Sequence, residues 1–210
     1  MARAREAARR GGPGRAKARR GAVARRTKET DVSARLSPDG GPVEVATGVP
    51  FFDHMLDQLG RHGGMGLVVS ARGDLEVDAH HTVEDVGIAI GEALRQATAD
   101  KTGLARYGHA VVPLDEALVE AVVDLSGRPH LTWNARLPSG KRFIGAYDVD
   151  LTQDFFQALV NHARITLHVN VRQGRNLHHV VEAIFKSTAR ALRAALRREG
   201  QGLPSTKGVL

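Results

Sequence analysis

Two short segments hold most of the residues with chemistry to offer: His80-His81-Thr82-Val83-Glu84 and His178-His179-Val180-Val181-Glu182. Each reads as the opening of a helix. Positions i and i+4 of a helix share a face, so His80 with Glu84, and His178 with Glu182, can each grip a metal ion. Adjacent helical residues point about 100° apart, so His81 and His179 serve a different ion from the one their neighbours serve. Two copies therefore suggest two metals, each taking a His and a Glu from one copy and the other His from the second. One such motif alone reads equally well as a solvated helix start; its recurrence gives the metal reading its weight. The chain has no Cys, and imidazole with carboxylate but no thiolate favours Mn²⁺, Fe²⁺ or Zn²⁺ over Ca²⁺ or Cu⁺.

The segments upstream align as well. Asp53-His54-Met55-Leu56-Asp57-Gln58-Leu59-Gly60-Arg61-His62 lies over Gln153-Asp154-Phe155-Phe156-Gln157-Ala158-Leu159-Val160-Asn161-His162. His54 precedes His80 by 26 residues, and Asp154 precedes His178 by 24. A repeat of helix, strand and helix implies an internal duplication, two α+β halves packed on each other, and makes His54 and Asp154 matched further ligands. His62, His109, His130, His162 and His168 fall outside the pattern and read as surface or packing residues. His62 is the exception to watch, two turns from His54.

The elements that must position these groups follow from periodicity and turn signals. Val32, Ala34 and Leu36 alternate with polar residues as in a strand, and Ser37-Pro38-Asp39-Gly40-Gly41-Pro42 is a turn. A helix is expected over 53–62 and strands over 67–71 and 74–78. A further helix is expected over 81–100, with Thr82 and Asp85 at capping-box spacing. Strands follow over 110–112, 117–125 and 130–135, then a helix over 152–162, a strand over 164–171 and a last helix over 177–198. The tail from Gln201 to Leu210 reads as irregular.

Composition narrows the function classes. The 210 residues are 42% apolar, enough for a core, but only 4% aromatic, so Val, Leu, Ile and Ala must fill it. Disulfide scaffolds, Cys-ligated zinc and thiol nucleophiles are excluded, and no apolar run approaches the ~18–20 residues of a membrane span. The net charge of +7 is misleading, because residues 1–26 carry nine Arg and one Lys against one Glu, and the remainder has 20 basic and 22 acidic residues. That leader has almost no large apolar side chain and is expected to be a disordered extension. It lacks a secretory h-region and the Ser of a transit peptide; a nucleic-acid-binding arm is the other functional reading.

Several motifs then point to one family. Gly48-Val-Pro-Phe-Phe-Asp-His54-Met-Leu-Asp-Gln-Leu, His80-His-Thr-Val-Glu-Asp, Pro113-Leu-Asp-Glu-Ala, Asp124-Leu-Ser-Gly-Arg128-Pro, His178-His-Val-Val-Glu182-Ala-Ile-Phe-Lys186 and Leu203-Pro-Ser-Thr-Lys207-Gly-Val-Leu closely resemble imidazoleglycerol-phosphate dehydratases. The resemblance spans about Arg26 to Leu210. It implies an α+β, internally duplicated ribosomal-protein-S5-domain-2-like fold, with halves at about 27–105 and 106–210. It also implies dehydration of imidazole glycerol phosphate to imidazole acetol phosphate in histidine biosynthesis, with two Mn²⁺ per active site. A cytoplasmic homo-oligomer of 24 subunits built from trimers is implied too.

Carried over residue by residue, the resemblance puts His54, His81, His178 and Glu182 on one manganese and His80, Glu84, His179 and Asp154 on the other. The family commonly has His where Asp154 stands; oxygen donors suit Mn²⁺, so the carboxylate is expected to ligate. The substrate's phosphate would meet Arg106, Arg128, Lys186, Ser205 and Lys207, residue types that pair with dianionic oxygens although each alone reads as an ordinary solvated group. His54, His62, His80, Glu84, His178 and Thr206 are expected to contact substrate as well. Glu29 matches a substrate-contacting family Glu and is the candidate general acid/base, beside the catalytic carboxylates Glu84 and Glu182. Two other classes stay in view: a nucleic-acid-binding protein working through the leader, and a dinuclear hydrolase whose metals activate water.

Overall fold

The computed structural model describes residues 18–138, 140, 142–200 and 202–206. Its elements run β1 (Gly21–Arg26), β2 (Thr30–Ser37), β3 (Val43–Ala46), α1 (Pro50–Gly63), β4 (Gly66–Gly73) and α2 (His80–Ala97) in the first half. The second half runs β5 (Tyr107–Leu114), β6 (Ala117–Asp124), β7 (His130–Asn134), a small hairpin of β8 (Phe143–Ile144) and β9 (Tyr147–Asp148), α3 (Leu151–Ala163), β10 (Thr166–Gln173) and α4 (Leu177–Ala195). The two main sheets have the orders β1-β2-β4-β3 and β5-β6-β10-β7, one topology used twice, and in each the third and fourth strands are parallel. Among the described residues only the β8–β9 hairpin lacks a counterpart.

The alternation of apolar residues decides how the layers stack. Val32, Ala34 and Leu36 of β2, and Ala117, Val119, Ala121 and Val123 of β6, are buried on the face that receives the helices. α2 packs on β1, β2 and β4, and α4 on β5, β6 and β10. Helices of opposite halves then meet, α1 on α4 and α2 on α3, so the helices form the interior layers between two sheets. With few aromatics, this interior is filled by Leu, Val, Ile and Ala, as the composition required.

Three readings of the sequence need correction. The leader expected to be disordered through Arg26 ends in an ordered strand: Gly21–Arg26 pairs with Leu36–Asp31, and Arg19 bonds Asp39 and the Leu196 carbonyl. The strand was hidden because its side chains are charged or small. Arg25 reaches Asp85 at 2.9 Å, and only Gly21 is buried outright. Residues 1–17 lie outside the described residues. Residues 74–78 are no strand either; a Val77–Asp74 backbone bond closes a turn there, and Leu75 and Val77 stay exposed with no neighbouring strand to cover them. Nor do Thr82 and Asp85 cap α2. The Thr82 hydroxyl is buried inside the helix without a partner, and Asp85 accepts instead from Arg25 and the Thr30 hydroxyl.

The duplication extends to the closest backbone contacts. A Cβ on Gly21 would sit 1.8 Å from the carbonyl oxygen of Ala93, and one on Gly108 would sit 1.9 Å from that of Ala191. Ala93 and Ala191 each lie 13 residues after the first His of their motif, so the same strand–helix crossing was kept in both halves. Because the obstructing atoms are backbone, neither site can relax by a rotamer change. Gly21→Ala and Gly108→Ala should each cost about 2–3 kcal/mol, read as a lower urea midpoint. Gly200→Ala, with nothing within 4 Å, should leave the midpoint unchanged.

Candidate functional site

α1 opens with Pro50 in its first turn, where a missing N–H costs nothing. Asp53 accepts hydrogen bonds from the backbone and hydroxyl of Thr47 at 2.8 and 2.6 Å, fixing the start of the helix. His54, one residue on, faces α4. α4 itself starts with the Asn176 side chain accepting from the backbone N–H of His178 at 3.0 Å, an N-cap that holds the His-His pair in place.

Across the junction between the halves, His54 Nε2 lies 3.4 Å from Glu182 Oε2, and His178 Nε2 lies 3.0 Å from the same oxygen. Among the described residues these three form the one group of three His or carboxylate side chains whose ligand atoms all fall within 4.8 Å of one another. Donors at ~2.0–2.2 Å from one ion stand about 3–4 Å apart, so the spacing suits a divalent cation, and the N/O donor set suits Mn²⁺ or Zn²⁺. Lys186 Nζ takes the other Glu182 oxygen at 2.5 Å. Glu182 is buried, which raises its pKa, yet the Lys186 and His178 contacts outweigh this and leave it lowered, so the carboxylate is charged.

The matched pair on the other side of the junction is also brought together. His80 Nδ1 of α2 stands 3.7 Å from Asp154 Oδ2 of α3, both side chains half-exposed. A hollow of about 460 Å³ opens beside them, walled by Val49, Leu75, Phe143 and Leu151. Glu84 is exposed one turn from His80 and belongs to no three-membered donor group.

His81 and His179 join neither cluster within the chain. His81 Nδ1 is held by Asp74 at 3.0 Å, and His179 Nδ1 by Glu116 at 2.8 Å. The sequence reading missed both carboxylates as orienting partners. Glu116 sits in the quoted Pro113-Leu-Asp-Glu-Ala segment, and its place in the turn between β5 and β6 was the available signal. The His179 contact and the Asn176 N–H hold Glu116 down to about 2. A His with its Nδ1 bonded to a carboxylate presents Nε2 outward as a ligand, the usual outer support of a metal-binding imidazole.

Other candidates divide into two groups. His62 bonds Gln58 at 3.0 Å, and burial, with Lys186 and Arg190 nearby, lowers its pKa. Arg106, in a left-handed conformation at φ 71°, holds Asp124 at 2.7 Å and the Pro204 carbonyl at 2.7 Å, anchoring the tail that carries Ser205 and Thr206. Arg128 and the unforeseen Lys101 stand close by; burial, opposed by Asp124 and reinforced by both arginines, lowers the Lys101 pKa. The Arg106 backbone N–H donates to the Ala195 carbonyl, nine residues along α4 from Lys186, a rise of roughly 13 Å along the helix axis. Glu29 is exposed in the β1–β2 turn, near enough to His81 to help raise its pKa. Lys207 lies outside the described residues.

The duplicated α+β sandwich is the fold of a known class of lyases. Imidazoleglycerol-phosphate dehydratase from Staphylococcus aureus subsp. aureus N315 superimposes with a TM-score of 0.77 at 40% identity, over 85% of this chain and 99% of that one. The Pyrococcus furiosus enzyme, solved in complex with (S)-C348, gives 0.78 at 37% identity, over 90% and 100%. The family model for imidazoleglycerol-phosphate dehydratase matches residues 47–192. Relatives of that name are 81% identical over 197 residues in Anaeromyxobacter sp. strain Fw109-5 (94% of this chain, 96% of the relative). In Nitrosomonas europaea the identity is 55% over 192 residues (90% and 96%). The chain belongs to the imidazoleglycerol-phosphate dehydratase family, hydro-lyases that remove water from imidazole glycerol phosphate in histidine biosynthesis.

The Asp74 contact raises the His81 pKa above its ordinary 6.5. Its contribution to stability is therefore complete below about pH 6.5 and disappears as pH rises through the elevated value. Asp74→Asn should move the His81 ring resonances to a lower titration midpoint in metal-free protein, followed by NMR. An unchanged midpoint would mean that the carboxylate does not hold this imidazole.

Proposed function

We propose that this chain dehydrates D-erythro-imidazole glycerol phosphate at active sites completed between copies of itself, with two Mn²⁺ in each. The distribution of donors supports this reading. Each junction cluster gathers a His and a carboxylate from opposite halves, while His81 and His179 stand apart on carboxylates of their own. His54, His178 and Glu182 of one copy would be completed by His81 of another, and His80, Glu84 and Asp154 by His179. The family resemblance extends this to a shell of 24 subunits built from trimers, working in the cytoplasm. No helix among the described residues is long and apolar enough to cross a membrane.

Ions bound at these clusters would supply Lewis acidity to the nitrogens of the substrate's imidazole ring. The chain's residues supply positioning and proton transfer. The hydroxyl that leaves is on the carbon attached to the ring, and the proton lost comes from the next carbon, so a positioned base must take it. Glu29 fills that role: it lies beside His81 and would enter the neighbouring copy's site with it. Loss of water leaves an enol, whose tautomer is the ketone of imidazole acetol phosphate. Glu84 and Glu182 would stand beside the reacting ring. Arg106, Arg128 and Lys101, with Ser205 and Thr206 of the tail, would form one cationic group for the phosphate, and the family resemblance adds Lys207; Lys186 of α4 and His62 of α1 would stand on the substrate's other side.

Metal-stripped protein should give no imidazole acetol phosphate, and added Mn²⁺ should restore it. Glu29→Gln should slow turnover by about 10²- to 10⁴-fold while Mn²⁺ and substrate still bind. Turnover equal to that of the unmodified chain would remove Glu29 from the role.

A further inference from the structure

We propose that Asp85, Thr30 and Thr27 are positioning residues: a hydrogen-bond chain rooted in the buried Asp85 of α2 holds the β1–β2 turn, so that Glu29 and His81 enter the site as one unit. This rests on the reading of Glu29 as the acid/base and deepens it.

The duplication supplies the comparison. β1–β2 and β5–β6 share one register, with Gly21 opposite Leu36 and Gly108 opposite Val123. That match lays Glu29 over Glu116 and Thr30 over Ala117, and the helix motifs lay Asp85 over Ala183. The two turn glutamates are used differently. The Glu116 carboxylate is occupied within its own half, bonding His179 Nδ1 at 2.8 Å and accepting from the Asn176 N–H at 2.6 Å. In the first half Asp74 holds the corresponding imidazole, His81, and the exposed Glu29 carboxylate bonds none of the described residues. Glu29 therefore keeps both oxygens for another molecule, as Glu116 does not.

A side chain without a partner must be placed through its backbone. Asp85 Oδ1 accepts from Arg25 Nε at 2.9 Å, and Oδ2 accepts from the Thr30 hydroxyl. With that proton committed, the Thr30 oxygen accepts from the Thr27 hydroxyl at 3.2 Å. The Thr27 oxygen in turn accepts from the backbone N–H groups of Glu29 at 3.1 Å and Thr30 at 2.9 Å. The carboxylate fixes the direction of every donor along the chain, and bonds linked in this way strengthen one another. The second half has no such chain, because Ala117 and Ala183 carry no polar side-chain atom.

Asp85 also sets the distance to His81. The two stand at i and i+4 on α2, so one helical turn carries the imidazole and anchors the Glu29 turn. A displacement of about 1 Å in a reacting group can cost about 10²-fold in rate.

The test measures turnover of imidazole glycerol phosphate with Mn²⁺ by the assembled full chain. Thr30→Val, Thr27→Val and Thr30→Ser are each made alone and on a Glu29→Gln background. Both valine variants should lower kcat about 10- to 100-fold, with KM, bound Mn²⁺ and oligomer size unchanged. Thr30→Ser keeps the hydroxyl and should keep turnover. On the Glu29→Gln background neither valine should lower kcat further, although each should lower the urea midpoint equally on both backgrounds. The midpoint reads lost structure; a kcat loss confined to one background reads positioning. Thr27→Val leaves Asp85 its Thr30 partner and answers the question even if Thr30→Val does not assemble. Equal kcat losses on both backgrounds, or full turnover in the valine variants, would overturn the proposal and leave the role of Glu29 standing. Full turnover in Glu29→Gln itself would overturn the acid/base reading and the proposal together.

Discussion

Phe52 of α1, Phe155 and Phe156 of α3 and Phe185 of α4 meet in the middle of the helical layers, with ring centroids 4.9 to 5.4 Å apart and Tyr147 stacked on Phe52. Four of the six phenylalanines in the chain are used there, all fully buried. The contact crosses the boundary between the halves and fixes α1 against α4. His54 lies two residues from Phe52 and Glu182 three from Phe185, so their separation is set by this packing. Truncating one such ring costs about 3–5 kcal/mol. The larger consequence is geometric, because each donor cluster draws on both halves and exists only while the helices stay in register.

Duplication explains why the clusters come in two. A half that buries its helices against a half of the same topology brings the same two helix types together twice, α1 with α4 and α3 with α2. A ligand on each helix type therefore yields two clusters. The sheets outside need only hold the helices at the right distance, and Gly21 and Gly108 mark where that distance is smallest.

Much of this was legible in the sequence. The His-His-x-x-Glu repeats, the Asp53–His62 match to Gln153–His162 and the alternation in β2 identified the helices, the correspondence of His54 to Asp154 and the α+β class. What escaped notice shares a physical cause: the signal lay in tertiary partners. β1 carries Arg where a strand is expected to carry apolar residues, and only Asp85 and Asp31 on neighbouring elements explain them. Leu75 and Val77 alternate like a strand but have no sheet beside them. Thr82 and Asp85 have capping spacing, yet the pull of Arg25 and Thr30 on Asp85 decides its direction. Asp74 lies in the turn seven residues before His81 and Glu116 sixty-three residues before His179, and no helix or strand periodicity links either pair.

The central claim is that histidines of one copy complete the clusters of another. Subunit complementation tests it most directly. Chains carrying His54→Ala and chains carrying His81→Ala, each inactive alone, are unfolded, mixed and reassembled with Mn²⁺, and dehydration of imidazole glycerol phosphate is measured. Sites built between copies will include some with an intact His54 on one side and an intact His81 on the other, and activity should return in the mixture alone. If mixed oligomers form and stay as inactive as their parents, each site is contained within a single chain and the account is wrong.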